Sequence, residues 1–203
     1  MVSVKAEAAG TLGLYFEAVD TRRGFCRDGG FVIDAGEIER SAYLQDRSLH
    51  ALQCAMEENC LASSAYRIKT RILNTGTADF RPAVPKHLWQ FHQCHMHFHS
   101  MEVFATFDVF DGSGRKVAEG HKASFCLEDN QCLRGTHPEY ACANFGEQGI
   151  SVNCTDIYRH DIDCQWVDIT DLKPGHYTFR VSIIPLSSGP IIEIYRQSCG
   201  QRG

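Results

Sequence analysis

Polar and apolar residues alternate along this chain in short bursts separated by turn formers, and a period of two is the signature of strands with one face buried. Residues 68–73 make one such burst, closed by the turn former Asn74-Thr75-Gly76. Residues 103–110, rich in Val, Phe and Thr, and residues 116–125 flank Asp111-Gly112-Ser113-Gly114, which predicts a β-hairpin. Residues 166–170 and 177–184 bracket Asp171-Leu172-Lys173-Pro174-Gly175 and predict another strand, turn, strand unit. Residues 31–44 alternate loosely and predict one short strand. Helical spacing is confined to Leu49, Leu52 and Met56, behind a cap at Asp46 or Ser48, with Cys54 and Cys60 tying the end down. Residues 126–164 are loop-rich and punctuated by Gly135, Pro138, Gly146 and Gly149. The expected fold is mainly β: a β-sandwich-like core with long disulfide-tied loops and one or two short helices.

The stretch with the strongest chemical pattern is residues 89–100, which follows the breaks at Pro82 and Pro85. Here His95, His97 and His99 alternate with Met96 and Phe98, and the pattern predicts a strand with three imidazoles on one face, roughly 6–7 Å apart. Twist or a bulge can converge such a row on one ion. Imidazole nitrogen suits copper, zinc, iron or nickel, and three such ligands leave a position open for water, dioxygen or substrate. Spacing alone does not choose the metal, and the plain alternative is a solvated row of surface histidines.

Composition narrows the context. A chain of 203 residues with 43% hydrophobic content can bury one substantial core, or at most two small ones. The expected division is an N-terminal extension over 1–30, without a recognisable site, and one domain over 31–203. A net charge of −5 and the absence of a basic run argue against nucleic acid. No stretch approaches the roughly 20 apolar residues of a membrane span. Ten cysteines, without a paired Cys-x-x-Cys pattern, predict a disulfide framework formed in an oxidising compartment. Asn153-Cys154-Thr155 is a possible glycosylation acceptor, in keeping with secretion. The N-terminus carries acid early and no apolar leader, as expected of a fragment of a longer secreted precursor or an incomplete gene model.

Three motifs together resemble the catalytic domain of lysyl oxidases, closest to the lysyl oxidase-like 2 type. They are Trp-x-x-His-x-Cys-His-x-His-x-His from Trp89, the block Ala118-Glu119-Gly120-His121-Lys122-Ala123-Ser124-Phe125-Cys126-Leu127-Glu128-Asp129, and the block Asp161-Ile162-Asp163-Cys164-Gln165-Trp166-Val167-Asp168-Ile169-Thr170. The resemblance runs from about residue 31 to 184. It implies a secreted protein-lysine 6-oxidase, an oxidoreductase that deaminates peptidyl lysine in collagen and elastin to allysine with dioxygen, releasing ammonia and hydrogen peroxide. It further implies copper on His95, His97 and His99, and a lysine tyrosylquinone cofactor made from Lys122 and Tyr158 of the same chain.

Such a quinone condenses with the substrate amine and serves as an electron sink while a base takes the α-proton. Lysine normally titrates near pH 10.4, so Lys122 needs burial or the metal's charge to act as a nucleophile. Asp156, Asp161, Asp163 and His160 are unranked candidates for the base. The disulfides implied by the resemblance are Cys54–Cys94, Cys60–Cys164, Cys126–Cys142 and Cys132–Cys154, with Cys26 and Cys199 left over. Cys94 directly precedes the first implied copper ligand, so its bridge braces the metal strand.

The chain departs from the family pattern between Arg67 and Lys69, where a segment on the order of a dozen residues is missing, and after Ile184, where the acidic closing stretch and a later cysteine pair are absent. Gly30-Phe31 stands where relatives carry Asp-Leu, so the family's calcium site is expected to be absent. These departures favour a competing reading, a catalytically inactive extracellular metal-binding module that keeps the fold. An unrelated zinc hydrolase has neither a His-Glu-x-x-His motif nor a Ser-His-Asp arrangement to support it.

Overall fold

The computed structural model describes residues 5–7, 14–18, 30–46, 64–67, 69–93, 95–102, 104–121, 124–159 and 166–183. Within them the chain forms β1 (Lys5–Glu7), β2 (Leu14–Ala18), β3 (Phe31–Ile33), helix α1 (Ala35–Ser41), β4 (Tyr43–Asp46), β5 (Ser64–Arg67) and β6 (Thr70–Asn74). A short hairpin of β7 (Gln90–His92) and β8 (His97–His99) follows. After it come β9 (Ala105–Phe110), β10 (Lys116–His121), β11 (Gln131–Cys132), β12 (Cys154–Tyr158), β13 (Trp166–Asp168) and β14 (Gly175–Ile183). The fold is mainly β, as the alternation predicts.

The larger sheet runs β1-β2-β14-β9-β10-β13-β5-β4 and is antiparallel throughout except for the parallel pair β2 and β14. A smaller antiparallel sheet runs β11-β12-β6-β3. The expected hairpin is present as β9 and β10, its turn closed by the Asp111 carboxylate, which accepts the N–H groups of Ser113 at 2.9 Å and Arg115 at 3.1 Å. The expected unit around residues 171–175 supplies two strands that do not pair with each other. Instead β14 lies along β9, and β13 lies along β10, so the hairpin separates them.

Residues 31–44 hold more than one strand. Asp34 caps α1 by accepting the Glu37 N–H at 3.0 Å, while its carboxylate also meets Arg71 at 3.2 Å. An acid at the cap and Glu three residues on is the pattern that starts a helix. Burial of Ile38 then holds this short element on the core. The helix expected around Leu49, Leu52 and Met56 lies outside the described residues.

Both sheets contribute to one apolar cluster. In β9, Ala105, Phe107 and Val109 are buried and alternate with partly exposed Thr106, Asp108 and Phe110. Across from them β6 buries Ile72, and Phe31, Phe80, Phe104 and Phe125 form a ring-to-ring chain with centroids 5.3 to 6.0 Å apart. Edge-on aromatic contacts of this kind add specific geometry to burial. Gly120 is required where β10 crosses Phe107, because a Cβ there would stand 2.4 Å from the Phe107 Cβ.

Phe104 is fully enclosed and central to the chain of rings, so Phe104→Ala leaves a cavity. It is expected to lower unfolding free energy by about 3–5 kcal/mol, read as a lower urea midpoint with an unchanged slope.

Candidate metal and tyrosine site

Residues 89–100 fold as a hairpin instead of the single strand their alternation predicts. The register pairs Gln90 with His99, Phe91 with Phe98 and His92 with His97. Partners in an antiparallel ladder project to the same face. His92, His97 and His99 therefore share one face, and Phe91 and Phe98 share the other, their rings 5.2 Å apart. Phe98 also packs on Phe145 at 4.4 Å, which stands edge-on to Trp89 at 5.9 Å. The apolar face thus has its own support, leaving the imidazole face for chemistry.

His95 lies in the turn and not in the strand. Met96 has φ of 56°, an uncommon value for a residue with a side chain, and its N–H closes the turn on the His92 carbonyl at 2.9 Å. That reversal swings His95 back over β8. Its Nδ1 stands 3.2 Å from His99 Nε2, which is also 3.2 Å from His97 Nε2. Nitrogens about 2.0 Å from one ion at tetrahedral angles lie about 3.3 Å from one another. The ligand nitrogens of His92, His95 and His99 all lie within 4.8 Å of one another and could hold a metal ion, with His97 beside them through His99, so the row of imidazoles has become a cluster of four.

His99 is the hub. It is 5% exposed, and its Nδ1 meets the Ser124 hydroxyl in a short hydrogen bond. If Nδ1 carries the proton, Nε2 keeps its lone pair toward His95 and His97, which is how an outer hydrogen bond orients a ligand. His92 is a fourth imidazole that the spacing argument passed over. Its ring stacks on His95 at 4.1 Å and His99 at 4.3 Å, and its Nδ1 accepts the His95 backbone N–H at 3.2 Å. The signal for it was its place in the same motif, but its role depends on the turn. Buried Gln148 adds a strut by donating to the Phe98 carbonyl at 2.6 Å.

Tyr158 ends β12 with its ring edge-on to Phe125 at 5.5 Å and 5% exposed. The phenol donates to Asp156 Oδ2 at 2.6 Å and lies 3.3 Å from the Cys126 carbonyl. Burial first, then the charge and hydrogen bond of Asp156 and the charge of Glu128, raise the phenol well above its ordinary value of 10.0. Asp156 is itself buried. Of the four candidate bases it alone is described; His160, Asp161 and Asp163 lie outside the described residues, as does Lys122.

Disulfides join Cys126 to Cys142 and Cys132 to Cys154. These four sulfurs are bonded to each other, so nearby groupings of Cys126 and Cys142 with His97, or of Cys132 and Cys154 with Asp129, are not thiolate metal sites. The pairs Cys54–Cys94 and Cys60–Cys164, and Cys26 and Cys199, fall outside the described residues. No helix among the described residues is long and apolar enough to cross a membrane.

The family model described as lysyl oxidase matches residues 29–193. Lysyl oxidase homolog 2 of Gallus gallus is 55% identical over 166 residues, covering 76% of this chain and 21% of the relative. Lysyl oxidase homolog 2A of Danio rerio is 54% identical over 165 residues, covering 76% and 22%. Lysyl oxidase homolog 3 of Homo sapiens is 54% identical over 160 residues, covering 73% and 21%. The chain spans about a fifth of the length of these curated relatives.

Ser124→Ala removes the hydrogen bond that orients His99 and is expected to weaken divalent-metal affinity by about 10- to 100-fold in a competitive chelator titration. Tyr158 carries a separate pH signature. Its phenol keeps the proton to a higher pH in the folded chain than in the unfolded chain. Above about pH 10 the unfolded state binds fewer protons and stability falls as pH rises, until the folded phenol also titrates. Denaturant midpoints measured across this alkaline range are expected to decline less steeply in Tyr158→Phe.

Proposed function

We propose, because this chain belongs to the lysyl oxidase family, that it is the catalytic part of an extracellular amine oxidase that converts peptidyl lysine of collagen- or elastin-like matrix proteins to allysine with dioxygen, releasing ammonia and hydrogen peroxide. The observation that carries the proposal is the meeting of His95 Nδ1 and His97 Nε2 at His99 Nε2, both at 3.2 Å. These three residues would hold copper, and Lys122 and Tyr158 would form lysine tyrosylquinone. Copper there supplies one-electron chemistry with dioxygen, and the quinone supplies a carbonyl that takes up the substrate amine and its electrons.

The chain's own residues prepare that chemistry. Ser124 orients His99, and the His95 backbone N–H is anchored on His92, which together hold the ring nitrogens toward one another. The phenolic proton of Tyr158 has an acceptor in Asp156 at 2.6 Å. Lys122 is two residues from Ser124, so connectivity alone limits their Cα separation to about 7 Å. Its amine must lose a proton to act as a nucleophile, which burial or a nearby positive ion favours.

The burial of Tyr158 against Phe125 favours a second reading, a catalytically inactive extracellular metal-binding module in which the phenol serves the core. Copper-loaded protein decides between them. The oxidase reading expects a visible absorption band, a phenylhydrazine adduct and peroxide release with a lysine-rich peptide. All three are expected to fall to background in Lys122→Arg and in Tyr158→Phe while copper stays bound. Wild-type protein that binds copper yet stays colourless and unreactive supports the inactive module instead.

A further inference from the structure

We propose that Asn153 is a site of N-linked glycosylation. Of the five asparagines in the chain, it alone is followed two positions later by Ser or Thr, in Asn153-Cys154-Thr155, and the intervening residue is not proline. Sequons of this kind occur by chance, but the fold places this one where its acceptor residue is exposed.

Asn153 is exposed on the turn that leads into β12, with φ of 64°, a left-handed value that asparagine tolerates better than most residues. Its backbone is fully engaged. The N–H donates to the Asn74 carbonyl at 2.8 Å, and the carbonyl accepts the Leu133 N–H at 2.9 Å. Its side-chain amide takes no part in the hydrogen bonds among the described residues. A sugar on that amide therefore costs no internal contact and projects from the end of the smaller sheet. Leu133, joined to Asn153 through the backbone, is 53% exposed and offers an apolar patch beside the attachment point.

The rest of the sequon sets the timing. Thr155 is 4% exposed within β12, and Cys154 is fully buried in its bond to Cys132. Folding thus hides the hydroxyl that a glycosyltransferase must engage while leaving the acceptor amide outside. The modification belongs to the extended chain, before β12 pairs with β11 and β6. The two disulfides place that chain in an oxidising lumen.

In the transfer, Asn153 Nδ2 forms a bond to C1 of the reducing-end N-acetylglucosamine of a polyprenyl-diphosphate-linked oligosaccharide. The bond from that C1 to the diphosphate breaks, the amide gives up one proton, and polyprenyl diphosphate leaves. No oxidation or reduction occurs.

The test is to translate the full chain, behind a cleavable leader peptide, in the presence of microsomal membranes, and to recover the imported protein. Peptide mapping after amidase deglycosylation in heavy-oxygen water is expected to find Asn153 converted to labelled Asp. The imported wild type should also run one glycan heavier than Asn153→Asp, a variant that keeps a residue tolerant of the left-handed turn. Thr155→Ser, which preserves the hydroxyl, is expected to retain the glycan. Imported wild-type chain whose Asn153 is unlabelled, or a glycan that persists in Asn153→Asp, overturns the assignment.

Discussion

One antiparallel bridge organises the site. Met101 donates to the Phe125 carbonyl at 3.2 Å, and Phe125 donates back to Met101 at 2.7 Å. The four clustered histidines and Tyr158 lie within two residues of this exchange or reach it through a residue that does. His99 lies two residues before Met101, and Ser124, which holds it, directly precedes Phe125. Cys126 follows Phe125 and presents its carbonyl 3.3 Å from the Tyr158 phenol. The Phe125 ring, fully buried, touches both Phe104 and Tyr158. A segment with almost no strand of its own thereby couples the histidine hairpin, the end of β12 and the apolar core. Core packing enforces the geometry on groups that would otherwise be held only by loops.

Much of the fold was legible in the alternation. The β9 and β10 hairpin and its acidic turn follow directly from Val, Phe and Thr spaced around Asp111-Gly112-Ser113-Gly114, since a pleated, half-buried strand demands that spacing. Alternation says nothing of which strands become neighbours, and so β13 and β14 read as a unit although β9 and β10 lie between them. Helix α1 shows the opposite failure. Its start signal, Asp34 followed by Glu37, is present in the sequence, but the segment is too short for a 3.6-residue period to stand out from loose alternation. Disulfides are expected to order the loop-rich residues 126–164, yet in the described part the Asp129 carboxylate contributes heavily, accepting N–H groups of Glu139, Tyr140 and Ser151 and the Ser151 hydroxyl. A satisfied buried carboxylate carries no sequence signature to distinguish it from a surface one.

The histidines were legible as a group and not as a geometry. Within β8 the neighbours His97 and His99 bring their Nε2 atoms to 3.2 Å, but the third imidazole of an extended row would start roughly 13 Å along the backbone from the first. Convergence needs the chain to leave the strand, which it does at Met96, where no glycine marks the turn. The cost of a left-handed side-chain residue is borne by the hairpin that forms around it, with Phe91 on Phe98 and Phe98 on Phe145. Backbone strain concentrated beside a functional cluster is a common compromise. It also explains why His92, placed one strand across from His97, enters the cluster although its spacing from His95 does not fit a strand face.

Tyr158 and Asp156 expose a second compromise. Two oxygens that prefer water are buried side by side in β12, where apolar residues would pack at lower cost. Their mutual hydrogen bond at 2.6 Å recovers part of that cost, being of the short, charge-assisted kind. It recovers it while the phenol keeps the proton it donates. The pair is thus stable as a resting arrangement, with the phenolic proton already held by an acceptor. A sheet built for stability alone has no reason to put these two groups on one face of one strand. Their presence opposite the Cys126 carbonyl, one peptide from the Phe125 bridge that also carries the histidine hub, ties the least comfortable part of the core to the histidine cluster.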